Sequence, residues 1–178
     1  MIFSLTTGDI MTDATVNRRE TTVDHPDVII FPPVIPLSTL AIACALQWLA
    51  PLGLIAGMDP VWRFGLGTIV VIAGLLTILA GRRALLRNGT NVNPLWPTTA
   101  LVTEGVFERT RNPLYVGVSA ALCGIAVIFA LDWVLLLIIP SFAVLHFAVV
   151  RREEQYLERK FGDAYQRYKE RVPRYVLD

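Results

Sequence analysis

Charge is scarce in this chain. Asp, Glu, Lys and Arg make up 17% of its 178 residues, against about a quarter in a typical soluble domain. Hydrophobic residues reach 54% and the mean hydropathy is +0.53, which argues against an ordinary soluble domain and for a membrane protein. The net charge of +1 supplies no general attraction to nucleic acid. Cysteine is nearly absent: Cys44 and Cys123 lie within apolar runs, without the C-x-x-C spacing of zinc or redox motifs, and read as small packing residues. No metal is expected. The N-terminus shows no basic stretch followed by a long apolar core, so no signal peptide is read there. A glycine-rich strand–turn–helix fingerprint is also lacking, which excludes the usual soluble dinucleotide fold.

What the chain does have is grease in blocks. Residues 1–33 form a polar arm that ends in FPPVIP (31–36), where proline stiffens the entry. Residues 34–178 form the membrane domain, with helices predicted over about 34–54, 64–86, 112–131, 133–160 and 163–171. The first four carry apolar segments near the lower limit of the roughly 17–25 residues that cross a bilayer. The fold class expected is all-α: a polytopic membrane bundle of about four transmembrane helices with a cytoplasmic C-terminal helical cap. Only Asp132 separates the last two apolar segments, so they should form a tight hairpin, and Pro140 should kink the fourth helix. Glycines at 65, 67, 74, 117 and 124 permit close helix approach. Fifteen of the sixteen Lys and Arg fall in the N-terminal arm, the central loop or the C-terminal segment, and only Arg63 lies on the other side. The positive-inside rule then puts both termini in the cytoplasm.

Three stretches carry candidate chemistry. In RNPLYVG (111–117), Pro113 suits the first turn of a helix and Asn112 its N-cap. A helix N-terminus beside Arg111 suits an anionic group, or is an ordinary helix start with a snorkelling arginine. His146 and Glu153 are seven residues apart and share a face, about 10.5 Å apart along a regular helix. A histidine this deep in an apolar helix needs a partner or a cavity. Glu153 and Glu154 could bind an ammonium or ribose hydroxyls, or pair with Arg151, Arg152 or Arg109. In FGDAYQRYKERVPRY (161–175), Tyr165 and Tyr168 stack on one helical face, as an interfacial belt or as the wall of a pocket for a planar ring.

Together, RNPxY, EExxL and FGxxYxxYxxxVPR resemble the isoprenylcysteine carboxyl methyltransferase and phospholipid methyltransferase superfamily, over about residues 88–175. The resemblance implies an integral-membrane, S-adenosylmethionine-dependent methyltransferase with its cofactor pocket on the cytoplasmic side, of the kind found in a bacterial inner membrane. It implies cofactor-binding roles for Arg111, Asn112, Pro113, Tyr115, Gly117, His146, Glu153, Glu154, Tyr165 and Tyr168, with Trp96 a further candidate to flank adenine. Arg111, Arg152, His146 and Glu154 are the candidates for catalysis, the arginines as orienters of an anionic acceptor. The partners implied are the bilayer and a hydrophobic methyl acceptor: an isoprenoid, lipid, carboxylate, thiol or amine. Two other readings remain open at this point, a nicotinamide-dependent membrane reductase of related architecture and a non-catalytic lipid-binding membrane protein.

Overall fold

A computed structural model describes residues 26–176. Its regular structure is helical, with no strand among the described residues: α1 Val34–Leu49, α2 Pro60–Arg87, a 3-10 turn Gly105–Glu108, α3 Pro113–Phe129, α4 Asp132–Leu145, a π turn His146–Val150, α5 Arg151–Phe161 and α6 Asp163–Arg171. Residues 1–25 of the polar arm lie outside the described residues.

Local chemistry explains the boundaries. Helix α1 stops at Leu49, short of the expected 54, because Ala50 precedes Pro51 and a residue before proline is pushed out of helical conformation. Helix α2 starts on Asp59, whose carboxylate accepts the Val61 N–H, with Pro60 in the first turn. Pro140 lies inside α4, and a π turn follows at His146–Val150. Gly162, at φ 49°, separates α5 from α6 in a conformation that suits glycine.

Two helical runs are long and apolar enough to cross a bilayer: α2, and the continuous run Asp132–Phe161. The most apolar stretch of α2 is only 17% buried, with Trp62, Ile69 and Leu76 at least 60% exposed. A core helix of a soluble protein would be covered, and so large an apolar surface needs lipid or a partner. The other two predicted crossings are shorter than expected. Helices α1 and α3 have 16 and 17 residues, about 24–26 Å of helix against a hydrocarbon layer of about 30 Å. The Asp132–Phe161 run has 30 residues, about 45 Å, so it exceeds that layer. Its apolar part ends at Val150, and α5, which begins with Arg151 and Arg152, projects beyond it.

Helices α2 and α3 pack antiparallel along a glycine stripe. Gly67 faces Gly124, Gly74 faces Gly117, and Gly81 faces Leu114. Helix α1 lies against α4, where the Thr39 and Ser141 hydroxyls meet at 2.6 Å.

Asp132 does more than turn the hairpin. It is 1% exposed and its carboxylate accepts the backbone N–H groups of Gly53 (2.8 Å), Leu54 (3.3 Å) and Ile55 (2.8 Å). The α1–α2 connection is thereby fastened to the start of α4, and the negative charge sits favourably in the first turn of that helix. Asp132→Ala removes the acceptor from three N–H groups and should cost about 2–4 kcal/mol of stability, with Asp132→Asn milder because it keeps one acceptor oxygen. Thermal unfolding in detergent measures this, and an unchanged midpoint in the alanine variant would remove the carboxylate from its structural role.

Candidate functional site

The site is assembled where the start of α3, helix α5, helix α6 and the segment after α6 converge. Thr110 and Asn112 organise the approach to α3. The Thr110 hydroxyl accepts the Asn112 N–H at 3.2 Å and donates to the Arg174 carbonyl at 2.8 Å. Asn112 does occupy the N-cap position, but its side chain makes no cap; its amide instead donates to the Arg174 carbonyl at 3.2 Å. The Arg111 N–H donates to the Pro173 carbonyl at 3.0 Å. The segment 172–175 thus holds the loop that presents Arg111.

Helix α5 brings the two glutamates to this loop, in different company. Glu153 accepts the Tyr115 hydroxyl at 2.9 Å. Glu154 is gripped through Oε2 by the Arg174 guanidinium, from Nε at 3.0 Å and Nη2 at 2.8 Å. Its Oε1 stands 3.3 Å from Arg111 Nη1, and both side chains are 8% exposed. That approach is an ion pair without hydrogen-bond alignment. Arg111 Nε, Arg111 Nη1 and Glu154 Oε1 are buried with no hydrogen-bond partner. Buried polar groups are rarely left this way, and here orphan donors lie beside an orphan acceptor.

Burial pushes the Glu153 carboxyl up to about 7; the Tyr115 hydrogen bond lowers it in part, and the neighbouring Glu154 charge adds to the rise. Near neutral pH, Glu153 therefore both gives up and takes up a proton readily. Burial likewise pushes the Tyr165 and Tyr168 hydroxyls above their ordinary range, so both stay protonated.

Tyr165 and Tyr168 are 1% and 3% exposed, which rules out the interfacial belt. Their ring centroids are 6.1 Å apart, and Tyr168 donates to the Phe107 carbonyl at 2.7 Å. They pack with Val102, Phe107 and Val172. The loop over the site is tied down by Tyr156, whose hydroxyl accepts the Thr98 N–H at 3.1 Å and the Lys160 ammonium at 3.0 Å.

A cavity of about 130 Å³ lies among these groups, lined by Arg111, Asn112, Pro113, Tyr115, Glu153, Glu154, Tyr165 and Tyr168 as well as by residues of the segment between α2 and α3. Four sequence candidates fall elsewhere. Gly117 lies against Gly74 in the α2–α3 stripe, where its lack of a side chain serves packing. His146 opens the π turn and its Nδ1 meets the Tyr175 hydroxyl at 2.9 Å. The face-sharing expected for His146 and Glu153 assumed a regular helix, and the wider π turn between them changes the phase. Arg152 reaches the Asp27 carbonyl at 3.0 Å and its carboxylate at 3.5 Å. Trp96 is 61% exposed and lines neither cavity. The role of Arg174 was not legible in the sequence: the partners expected for the glutamates were Arg151, Arg152 or Arg109, whereas the arginine that grips Glu154 is twenty positions away in sequence and adjacent in space.

A second cavity, about 670 Å³ and largely apolar, runs between α1, α3 and α4. It shares Val92, Pro94, Leu114 and Tyr115 with the first. Among the described residues, no group of three His, Cys, Asp or Glu side chains comes together to hold a metal.

No curated protein and no solved structure matches the chain significantly. Over residues 62–164, from the first turn of α2 to the first turn of α6 and more than half of its length, the chain matches the phospholipid methyltransferase family, to which it therefore belongs.

Proposed function

We propose that this protein transfers a methyl group from S-adenosylmethionine to an apolar acceptor resident in the bilayer. The observation that carries the reading is the pair of orphan groups in the polar cavity: Arg111 Nε and Nη1 as donors, Glu154 Oε1 as acceptor. They complement the α-carboxylate and α-ammonium of an amino acid, and S-adenosylmethionine ends in one. Arg111 binds the carboxylate through its planar fork, and Glu154 takes the ammonium while Arg174 holds its other oxygen. When bound, the cofactor supplies an electrophilic methyl group on a sulfonium. The chain then has to align the acceptor with that methyl and exclude water. At about 130 Å³ the polar cavity is smaller than the roughly 300 Å³ at which small-molecule sites begin, so binding of the whole cofactor widens it.

The apolar cavity supports an acceptor that enters from the bilayer, between α1, α3 and α4. We place the site at the cytoplasmic face, on the strength of the basic residues of the central loop and of α5 and α6. In the same reading, the short helices α1 and α3 are inserted beside α2 and α4, by local thinning of the bilayer or by tilt of their neighbours.

Calorimetric titration of the detergent-purified protein with S-adenosylmethionine, S-adenosylhomocysteine and NADPH tests the proposal. Both adenosyl ligands should bind and NADPH should not. Failure of both adenosyl ligands would sink the methyl-transfer reading, and binding of NADPH alone would favour a reductase.

A further inference from the structure

Four residues are common to the walls of the two cavities: Val92, Pro94, Leu114 and Tyr115. Three have apolar side chains. Tyr115 alone brings a proton-carrying group to the boundary, and its hydroxyl already donates to Glu153 Oε1 at 2.9 Å. Glu153 lines the polar cavity only. The other ionisable candidates are committed or displaced. Glu154 is held between Arg111 and Arg174, while His146 lines neither cavity and meets Tyr175.

Building on the methyl-transfer reading, we propose that Tyr115 is a catalytic residue that accepts the acceptor's proton and relays it to Glu153, and hence that the acceptor is a protic nucleophile, an amine or a thiol, rather than a carboxylate. The acceptor lies with its chain in the apolar cavity and its reactive atom at Tyr115. Its lone pair forms the bond to the methyl carbon as the carbon–sulfur bond breaks and leaves its electron pair on sulfur. The acceptor's proton passes to the Tyr115 oxygen while the Tyr115 proton passes to the Glu153 carboxylate, which later releases it to water. A carboxylate acceptor has no proton to lose and would need a cation at this boundary, whereas the boundary presents a hydroxyl backed by a carboxylate.

The charge environment of Glu153 fits the role of acceptor. Tyr115 faces it from α3, Glu154 adjoins it on α5, and Arg111 and Arg174 are drawn to Glu154. Its carboxyl titrates near 7, so it takes the proton without holding it.

The test uses purified protein in phosphatidylcholine vesicles that carry dodecylamine, dodecanethiol or dodecanoic acid, with methyl-labelled S-adenosylmethionine. Label should enter the amine or the thiol and not the acid. Tyr115→Phe and Glu153→Gln should each lower the rate about 100-fold or more, with helical circular dichroism and thermal midpoint in detergent close to the parent, which shows that the variants fold. In the parent the rate should fall about tenfold per pH unit below about 7 as Glu153 becomes protonated; Glu153→Gln should lose this limb. Independently of turnover, a carboxylic-acid infrared band should vanish as pH rises through about 7 in the parent and be missing from Glu153→Gln. Label found only on dodecanoic acid, label on none of the three, or Tyr115→Phe at the parent rate would each overturn the relay. Loss of S-adenosylhomocysteine binding in the parent would instead strike the methyl-transfer reading beneath it.

Discussion

On the proposed cofactor site, Arg111→Ala should lower the affinity for S-adenosylmethionine and S-adenosylhomocysteine by about 100- to 1,000-fold. The variant would lose the guanidinium donors proposed for the cofactor carboxylate, and hydrogen bonds to charged groups contribute about 1.5–3 kcal/mol each, so the loss of two such bonds accounts for an effect of this size. Arg111→Lys keeps the charge but not the planar fork, so it should fall between parent and alanine. Titration with S-adenosylhomocysteine, which cannot react, separates this binding effect from turnover. An Arg111→Ala protein that binds the ligand within twofold of the parent would take Arg111 out of the cofactor site. The experiment also separates the two proposed roles: Arg111→Ala should weaken binding, whereas Tyr115→Phe should slow transfer.

The second large effect concerns packing. Leucine at position 74 or 117 should destabilise the fold by about 3 kcal/mol or more, seen as a lower thermal midpoint in detergent. A methyl carbon at Gly74 would stand 2.5 Å from the Gly117 carbonyl oxygen, and one at Gly117 would stand 2.7 Å from the Gly74 oxygen. The obstacle on each side is backbone, which cannot rotate away, so the helices must part. Gly65 belongs to the same helix but faces open space, with no atom within 4 Å of a built methyl carbon. Gly65→Leu should therefore be neutral, or stabilising by up to about 1 kcal/mol through better helix propensity. Equal effects at 65 and 117 would mean that the stripe is not the contact that sets the α2–α3 distance. The comparison matters for the site because Gly117 stands two residues beyond Tyr115, so a helix pushed outward at 117 carries Tyr115 with it.

Much of this architecture could be read from residues. The helical class followed from apolar blocks, and the break at Gly162 from the one residue in that stretch that tolerates a positive φ. The convergence of RNPLYVG with EE and the paired tyrosines rested on a resemblance between spaced motifs, and residues 111–115 of the first do surround one cavity with the glutamates and tyrosines. What stayed hidden was of three physical kinds. Partners distant in sequence were hidden: Glu154 with Arg174, Asp132 with the N–H groups of residues 53–55. Direction was hidden: the Asn112 amide turns to the Arg174 carbonyl instead of capping its helix, and Gly117 faces α2 instead of the cavity. Helix phase was hidden as well, because no sequence period announces a π turn. Lengths were overestimated in α1 because hydropathy continues past Ala50 into a segment that Pro51 bars from helix.

The π turn at His146–Val150 has a further consequence. A residue inserted into or removed from a helix turns everything beyond it by about 100°. The apolar rod and the polar cap beyond it are therefore geared together by a residue count. Which way Glu153 and Glu154 point, relative to the face that α4 presents to α1, is stored in the number of residues between Leu145 and Arg151 and in no single side chain. Substitutions there leave that information intact, whereas loss of one residue erases it while every functional group remains in the chain. The orientation of the site is in this sense a reading frame, written in backbone and invisible to a scan of side chains.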